Sequence, residues 1–395
     1  MKKYILYLYL STITAIIVSC SSTKHELSEN IEEAEIIIYD SISVKPDNER
    51  YSTFNFDLWE QGYLLTASST QKLRLLKIEK NHIVRETEIG HTGGAEQEYR
   101  AIAGLYANNN KIYIIDETSK LLVYDTSGHF LKSNKVYDDT LNEPYFFPKF
   151  LYVSEDSNAK INTVEYSGTS TKYTIMGEKH YINSAKILSI YKQGKKYVEN
   201  YIGYEKDSPY QHQRLIGETF PAISKLPVSR DYVVIHPHDD VIYIYHNQTK
   251  EIKKKIRGYS EFSPSKVSGV PFGTRIDINT VFEIDTKRNA TNIVVSVPSF
   301  LMNNEEFVFK QYRSPIEDKC KNVTEYHSKM GEVEERYLQL YNVQHEKKMY
   351  KDIKMPKKVY SLLYAKNEEY LIFSSNSNYN ETTMLYIARL SKKNK

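Results

Sequence analysis

Ile112-Tyr113-Ile114-Ile115-Asp116, a turn at Glu117 to Lys120, and Leu121-Leu122-Val123-Tyr124-Asp125 form the phrase that decides how this chain folds. Five residues in near-continuous apolar sequence are too short for a helix of ordinary length and rich in the β-branched and aromatic types that favour strands. Asp, Thr and Ser supply turn chemistry between the two runs. Ser127-Gly128 then turns the chain again into Phe130-Leu131-Lys132. The phrase reads as consecutive antiparallel strands joined by tight turns.

Moving outward, the phrase returns. Tyr232-Val233-Val234-Ile235, the turn His236 to Asp240, and Val241-Ile242-Tyr243-Ile244-Tyr245 repeat it, with Asn247-Gln248-Thr249 turning toward Ile252 and Ile256. Related versions stand at Gly62 to Ile78, Ile161 to Ile175, Asn292 to Tyr312 and Glu369 to Leu390. Six strand-rich units with almost no helical periodicity predict an all-β chain, a six-bladed β-propeller of four-stranded sheets. The units recur at intervals of about 49 to 78 residues, against ~40–50 per blade in ordinary propellers. Insertions near Ile182 to Tyr204 and near Cys320 to Glu335 would fill the wider gaps. Ile36-Ile37-Ile38-Tyr39, ahead of the first unit, is a lone strand suited to completing the last blade and locking the ring. A pair of two-sheet sandwiches is the competing arrangement, and it calls for shorter, more regular turn spacing. Val333 to Val343 has room for a turn or two of helix, but Tyr337-Leu338-Gln339-Leu340-Tyr341 alternates as a strand does.

Tyrosine is the compositional outlier, with 35 residues against 14 Phe and the single Trp59. A phenol packs one face and keeps its oxygen wet, which suits half-buried strands; a tyrosine-rich surface also stacks sugar rings, and the strand use fits these positions better. The formal net charge is +3, and Lys2 and Lys3 account for two of those charges. So balanced a chain carries no electrostatic footprint for nucleic acid. The basic runs Lys253-Lys254-Lys255 and Lys392-Lys393 read as solvated strand ends and a tail. Only two cysteines occur, Cys20 and Cys320.

The first twenty residues say where the chain resides. Lys2 and Lys3 precede a short apolar run from Tyr4 to Val18, and Ile17-Val18-Ser19-Cys20 closes it. That is the layout of a bacterial lipoprotein signal, with Cys20 as the lipidated residue. Read as a helix, the apolar run reaches about 22 Å, short of the ~30 Å hydrocarbon core of a bilayer. The expected organisation is therefore a signal peptide over 1–19, a flexible polar tether over 20–34, and a propeller over 35–395. With Cys20 consumed by lipid, Cys320 has no intramolecular disulfide partner, and its neighbours make no nucleophile motif. The membrane is the first expected partner, through the anchor. Ser21 favours the outer membrane, and Ser21 to Glu26 lacks the acidic run associated with surface export.

A further segment connects the sequence to a family. Ile89-Gly90-His91-Thr92-Gly93-Gly94-Ala95-Glu96-Gln97-Glu98-Tyr99, followed by the phrase at Lys111 to Leu131, resembles a recurring segment of Bacteroides-type lipoproteins. Those proteins are predicted six-bladed, TolB-like or NHL-like β-propellers, with the usual pattern Gly-x-x-Gly-x-Gly-Pro-x-Glu-aromatic. Gly90, Gly93, Glu98 and Tyr99 match it, while Ala95 and Glu96 replace the customary Gly and Pro. The resemblance is specific over about forty residues and implies fold and envelope location rather than chemistry.

For chemistry, the glycines 90, 93 and 94 lack the Lys-Ser/Thr of a phosphate loop and fit a tight connection between blades, across which Glu98 would accept backbone N–H groups. His236, His238 and Asp240, with Asp239 and His246 nearby, are the cluster of metal-ligand type, but ordinary hairpin chemistry accounts for them and no metal or other cofactor is expected. No Gly-x-Ser-x-Gly elbow and no Asp-x-Asp-x-Asp-Gly calcium loop occurs. The expectation is a propeller that binds an envelope protein, a glycan or a small ligand. A hydrolase or lyase acting on carbohydrate or a lactone from the central channel, and a structural scaffold of an envelope complex, are the alternatives.

Overall fold

The two strands read at Lys111–Asp116 and Lys120–Asp125 are the central hairpin of a four-stranded antiparallel sheet in the computed structural model. The structure describes residues 31–44, 51–54, 62–68, 72–79, 82–108, 110–136, 151–158, 160–167, 188–193, 198–205, 214–215, 221–258, 260, 270–271, 293–315, 325, 334–375 and 383–393. Cys20, Trp59 and Cys320 lie outside them, as do the signal segment and most of the tether.

Six such sheets are arranged as a six-bladed β-propeller. Blade 1 runs through Tyr51–Phe54, Tyr63–Ser68, Leu73–Glu79 and His82–Glu88. Blade 2 adds Ile102–Asn108 before the central hairpin and Phe130–Lys135 after it. Blade 3 comprises Leu151–Glu155, Ile161–Ser167, Leu188–Lys192 and Val198–Tyr201, and blade 4 Ala222–Lys225, Tyr232–Ile235, Val241–Tyr245 and Ile252–Arg257. In blade 5 the long strands Glu305–Arg313 and Arg336–Asn342 pair with each other, and each edge is split in two: Ile293–Ser296 and Ser299–Met302 on one side, Lys347–Lys348 and Ile353–Lys354 on the other. Blade 6 takes Val359–Asn367, Tyr370–Ser375 and Thr383–Lys392 from the end of the chain. The first strands of blades 2 and 3, of 4 and 5, and of 5 and 6 meet one another, which places them on the inner edge of the ring.

The lone N-terminal strand closes the ring, as its position suggested. Ala34–Val44 pairs antiparallel with Thr383–Lys392 from Ala34 opposite Lys392 to Val44 opposite Thr383, with a bulge between Ile38 and Asp40. Two readings need correction. Ile182 to Tyr204 is no mere insertion, since it carries the third and fourth strands of blade 3. In blade 5 the Asn292 to Tyr312 unit supplies only the first and second strands, and the alternation read at Tyr337 to Tyr341 is the third strand, Arg336–Asn342, buried along its whole length.

The apolar runs follow from the seams. Ile112, Ile114, Leu122 and Tyr124 pack toward blade 1, whereas Tyr113, Ile115, Leu121 and Val123 pack toward blade 3. Alternate residues of a strand face opposite sides, so a blade between two neighbours needs apolar side chains on both. The core is accordingly divided among the seams, one apolar cluster to each. Asp residues at strand ends set the turns. Asp116 Oδ1 accepts the N–H groups of Thr118 and Lys120 at 2.9 and 3.0 Å, and Asp125 Oδ1 those of Ser127 and His129 at 2.8 and 2.9 Å.

Candidate functional site

The connection from blade 1 to blade 2 holds the glycine segment, and its bonds are internal. Gly90 has a positive φ of 59°, and a Cβ there would sit 2.5 Å from the Tyr124 hydroxyl. A side chain at Gly93 would run into the Glu98 carboxylate. Glu98 accepts the Ala95 N–H at 2.7 Å and pairs with His91 Nε2 at 2.9 Å. The Ala95 N–H, then His91, holds the Glu98 carboxyl below its ordinary range. Lys120 Nζ donates to the carbonyls of Ala95 and Glu98 at 2.7 and 2.9 Å, and the Tyr124 hydroxyl donates to that of Gln97. The family-like segment thus ties two blades together.

The His236–Asp240 turn does the same between blades 4 and 5. His236 is completely buried, its ring 5.0 Å from that of Tyr204 and 5.9 Å from that of Tyr243. Burial pushes its pKa from 6.5 down to about 3. The Pro237 carbonyl accepts the Val294 N–H at 2.8 Å. Asp239 accepts from Val241 N–H at 3.0 Å and from the Tyr243 hydroxyl at 2.9 Å, and burial raises its carboxyl. Asp240 meets the buried Lys310 of blade 5 at 3.1 Å, and Lys310 also donates to the Gly258 carbonyl at 2.8 Å. His236 and Asp240 therefore serve different neighbours, and His238 is buried beside them. Among the described residues no three His, Cys, Asp or Glu side chains gather as a metal site would require.

Lys253 and Lys255 are exposed, as a solvated run should be, but the three lysines lie within a strand rather than at its end. They belong to the outer strand of blade 4 and reach Asp231 at 2.7 Å, Glu346 at 3.4 Å and Glu205 at 3.2 Å. Below them in the blade 4–blade 5 seam is a cavity of about 170 Å³ lined in part by Leu226, Asp231, Glu306 and Val343. That is smaller than the ~300–1,000 Å³ of ordinary ligand pockets.

The seam between blades 3 and 4 is chemically distinct. Register aligns Tyr152, Glu165, Ile190 and Glu199 in one row across blade 3. It aligns Lys225, Tyr232, Tyr245 and Ile252 in another across blade 4. The rows face each other. Lys225 Nζ lies 2.6 Å from Glu165 Oε2, 3.9 Å from the Tyr152 ring centre and 4.6 Å from that of Tyr232. The Tyr232 hydroxyl donates to Glu165 at 2.7 Å and receives Lys250 Nζ at 3.1 Å. Burial lowers the pKa of both Lys225 and Lys250, opposed in each case by the Glu165 charge. Arg230 stands over Tyr152, 5.7 Å from its ring centre, and is exposed. Sequence reasoning missed this group because its members come from two blades and meet only through register. No local motif marks them.

The fold and its seams define a six-bladed β-propeller. No protein-family model matches the sequence, and no curated protein matches it either. Among solved structures, a member of the DUF4221 family from Bacteroides vulgatus shares the fold, with a TM-score of 0.63 at 12% identity over 92% of this chain and 99% of that one. A Bacteroides fragilis chain, named as a supposed exported protein, aligns at a TM-score of 0.43 and 12% identity over 91% of this chain and 96% of its own. As many as 897 solved chains match, so the likeness describes architecture and leaves chemistry to the residues.

Proposed function

We propose that this chain is a lipid-anchored protein of the bacterial envelope whose propeller works by binding a protein, a glycan or a small ligand. The observation that carries the reading is where the ring begins. Its closing strand starts at Ala34, so only Ser21 to Glu33 separate the lipobox cysteine from the folded ring. Thirteen extended residues span at most about 50 Å, which keeps the propeller close to the bilayer that holds Cys20. One acyl chain anchors marginally, so several chains on Cys20 are required for firm attachment. Because both faces of the central strands are occupied by seams, ligand contact falls to turns and rims.

The test has two parts. Labelled fatty acid should be incorporated into the wild-type chain and not into Cys20→Ala, which should move from membrane to soluble fractions. Unlabelled, soluble wild-type protein would sink the anchoring. Cross-linking in intact host cells should then recover one stoichiometric envelope partner if the ligand is a protein. Recovery of nothing above background would direct the search to glycans and small ligands.

A further inference from the structure

The blade 3–blade 4 seam carries more positive charge than its carboxylates offset. Lys225 is matched by Glu165, and Lys192 by Glu199 at 2.6 Å. Arg230 and Lys250 have no carboxylate partner among the described residues within ion-pair distance. They occupy the turns after the first and third strands of blade 4, Leu226–Asp231 and His246–Glu251, which leave an antiparallel sheet at the same end. The carboxylate next to Arg230 does not quench them: Asp231 faces the opposite seam, where it binds Lys253 at 2.7 Å and the Asn247 N–H at 2.9 Å. Beneath the two cations the Lys225–Glu165 pair and the rings of Tyr152 and Tyr232 form a low-dielectric floor, against which an added anion is attracted more strongly than in water.

We infer, building on the binding reading above, that this rim is an anion site in which Arg230 and Lys250 hold the oxyanion of a ligand bearing a carboxylate, sulfate or phosphate. The Arg230 guanidinium offers a planar fork for two oxygens, while Lys250, braced by the Tyr232 hydroxyl and the Asn247 carbonyl, supplies a point charge. The test is calorimetric titration of the detergent-solubilised full chain at low salt with glucuronate, inorganic sulfate and inorganic phosphate. At least one should bind, and binding should weaken as salt is raised. Tightest binding of glucuronate assigns the site to an acidic saccharide, and of sulfate or phosphate to an inorganic or ester oxyanion. The double variant Arg230→Ala/Lys250→Met should lose about tenfold or more in affinity. Arg230→Ala alone, an exposed change that leaves the fold intact, should lose part of it. Absence of binding by all three anions, or equal binding by the variants, overturns the site. Cys20→Ser should bind as wild type does, so failure of the anchor leaves this inference standing.

Discussion

Blades 2 and 5 solve the same packing problem with different chemistry. The central strands of blade 2 place Ile112, Ile114, Ile115, Leu121, Leu122 and Val123 wholly inside its two seams. The central strands of blade 5 bury Glu306, Lys310, Gln311, Gln339 and Asn342 among apolar neighbours such as Phe309, Leu338 and Leu340. Glu306, Lys310 and Gln311 are satisfied from neighbouring blades, and Gln339 and Asn342 from within blade 5. Glu306 accepts the Val228 and Ser229 N–H groups of blade 4 at 2.9 Å. Gln311 donates to the Tyr360 carbonyl and accepts the Leu362 N–H of blade 6, at 2.9 and 2.8 Å. Gln339 reaches Asp352 at 2.8 Å, where Tyr312 and Lys348 also converge. Apolar packing is tolerant of small shifts, whereas the bonds of Glu306, Lys310 and Gln311 fix the angle of blade 5 against both sides.

The comparison is broken most forcefully at Lys310. Lys310→Ala strands Asp240 in the seam and should cost about 3–5 kcal/mol in denaturant unfolding. Adding Asp240→Leu to Lys310→Met should recover much of that, because a matched apolar pair replaces a matched ionic one; strictly additive losses would show the two residues to be uncoupled. In blade 2, Ile114→Ala should cost about 3 kcal/mol through a cavity, with no second change able to rescue it by charge. A loss below about 1 kcal/mol there would mean the seam collapses more freely than its packing implies.

The next effect depends on pH. His236 is neutral in the folded chain and held well below its unfolded value near 6.5, so its contribution is complete above that value. It is lost as pH falls toward 3, amounting to about 2 kcal/mol between pH 7 and pH 5. His236→Phe should flatten that part of the stability profile, and an unchanged slope would exonerate the residue. The smallest effect belongs to the blade 1–blade 2 connection. The depressed Glu98 carboxyl stabilises above the ordinary carboxyl range and ceases to do so as pH falls through its own lower value. Glu98→Gln should therefore lower the melting temperature slightly at pH 7, and the effect should vanish once pH falls below that lower value, read by calorimetry.

The same contrast explains what could be read in advance. Blades 1, 2, 4 and 6 announced themselves because strands packed on both faces are written in uninterrupted apolar residues. Blade 5 spells its third strand Arg336-Tyr337-Leu338-Gln339-Leu340-Tyr341-Asn342, in which buried Gln and Asn imitate a solvent face. Blade 3 separates its second and third strands by twenty residues, so the partner of Ile161–Ser167 stands well beyond the unit read at Ile161 to Ile175, whose second half lies outside the described residues. The His236–Asp240 cluster was visible as chemistry and obscure as function, because its partners Lys310 and Gly258 lie in other parts of the sequence. Arg230 and Lys250 carried no signal, since each is an ordinary turn residue until blade 3 stands beside it.

The closing strand also imposes an order in time. Among the described strands of the ring, Ala34–Val44 is made before the others and its partner Thr383–Lys392 after them. At ~5–20 residues per second, some twenty to seventy seconds separate their synthesis. Throughout that interval the earliest strand has an open hydrogen-bonding edge and no template. The ring is thus finished by the strand Thr383–Lys392, and a ribosome that stops short of it leaves two bare strand edges at the seam that Ala34–Val44 should close.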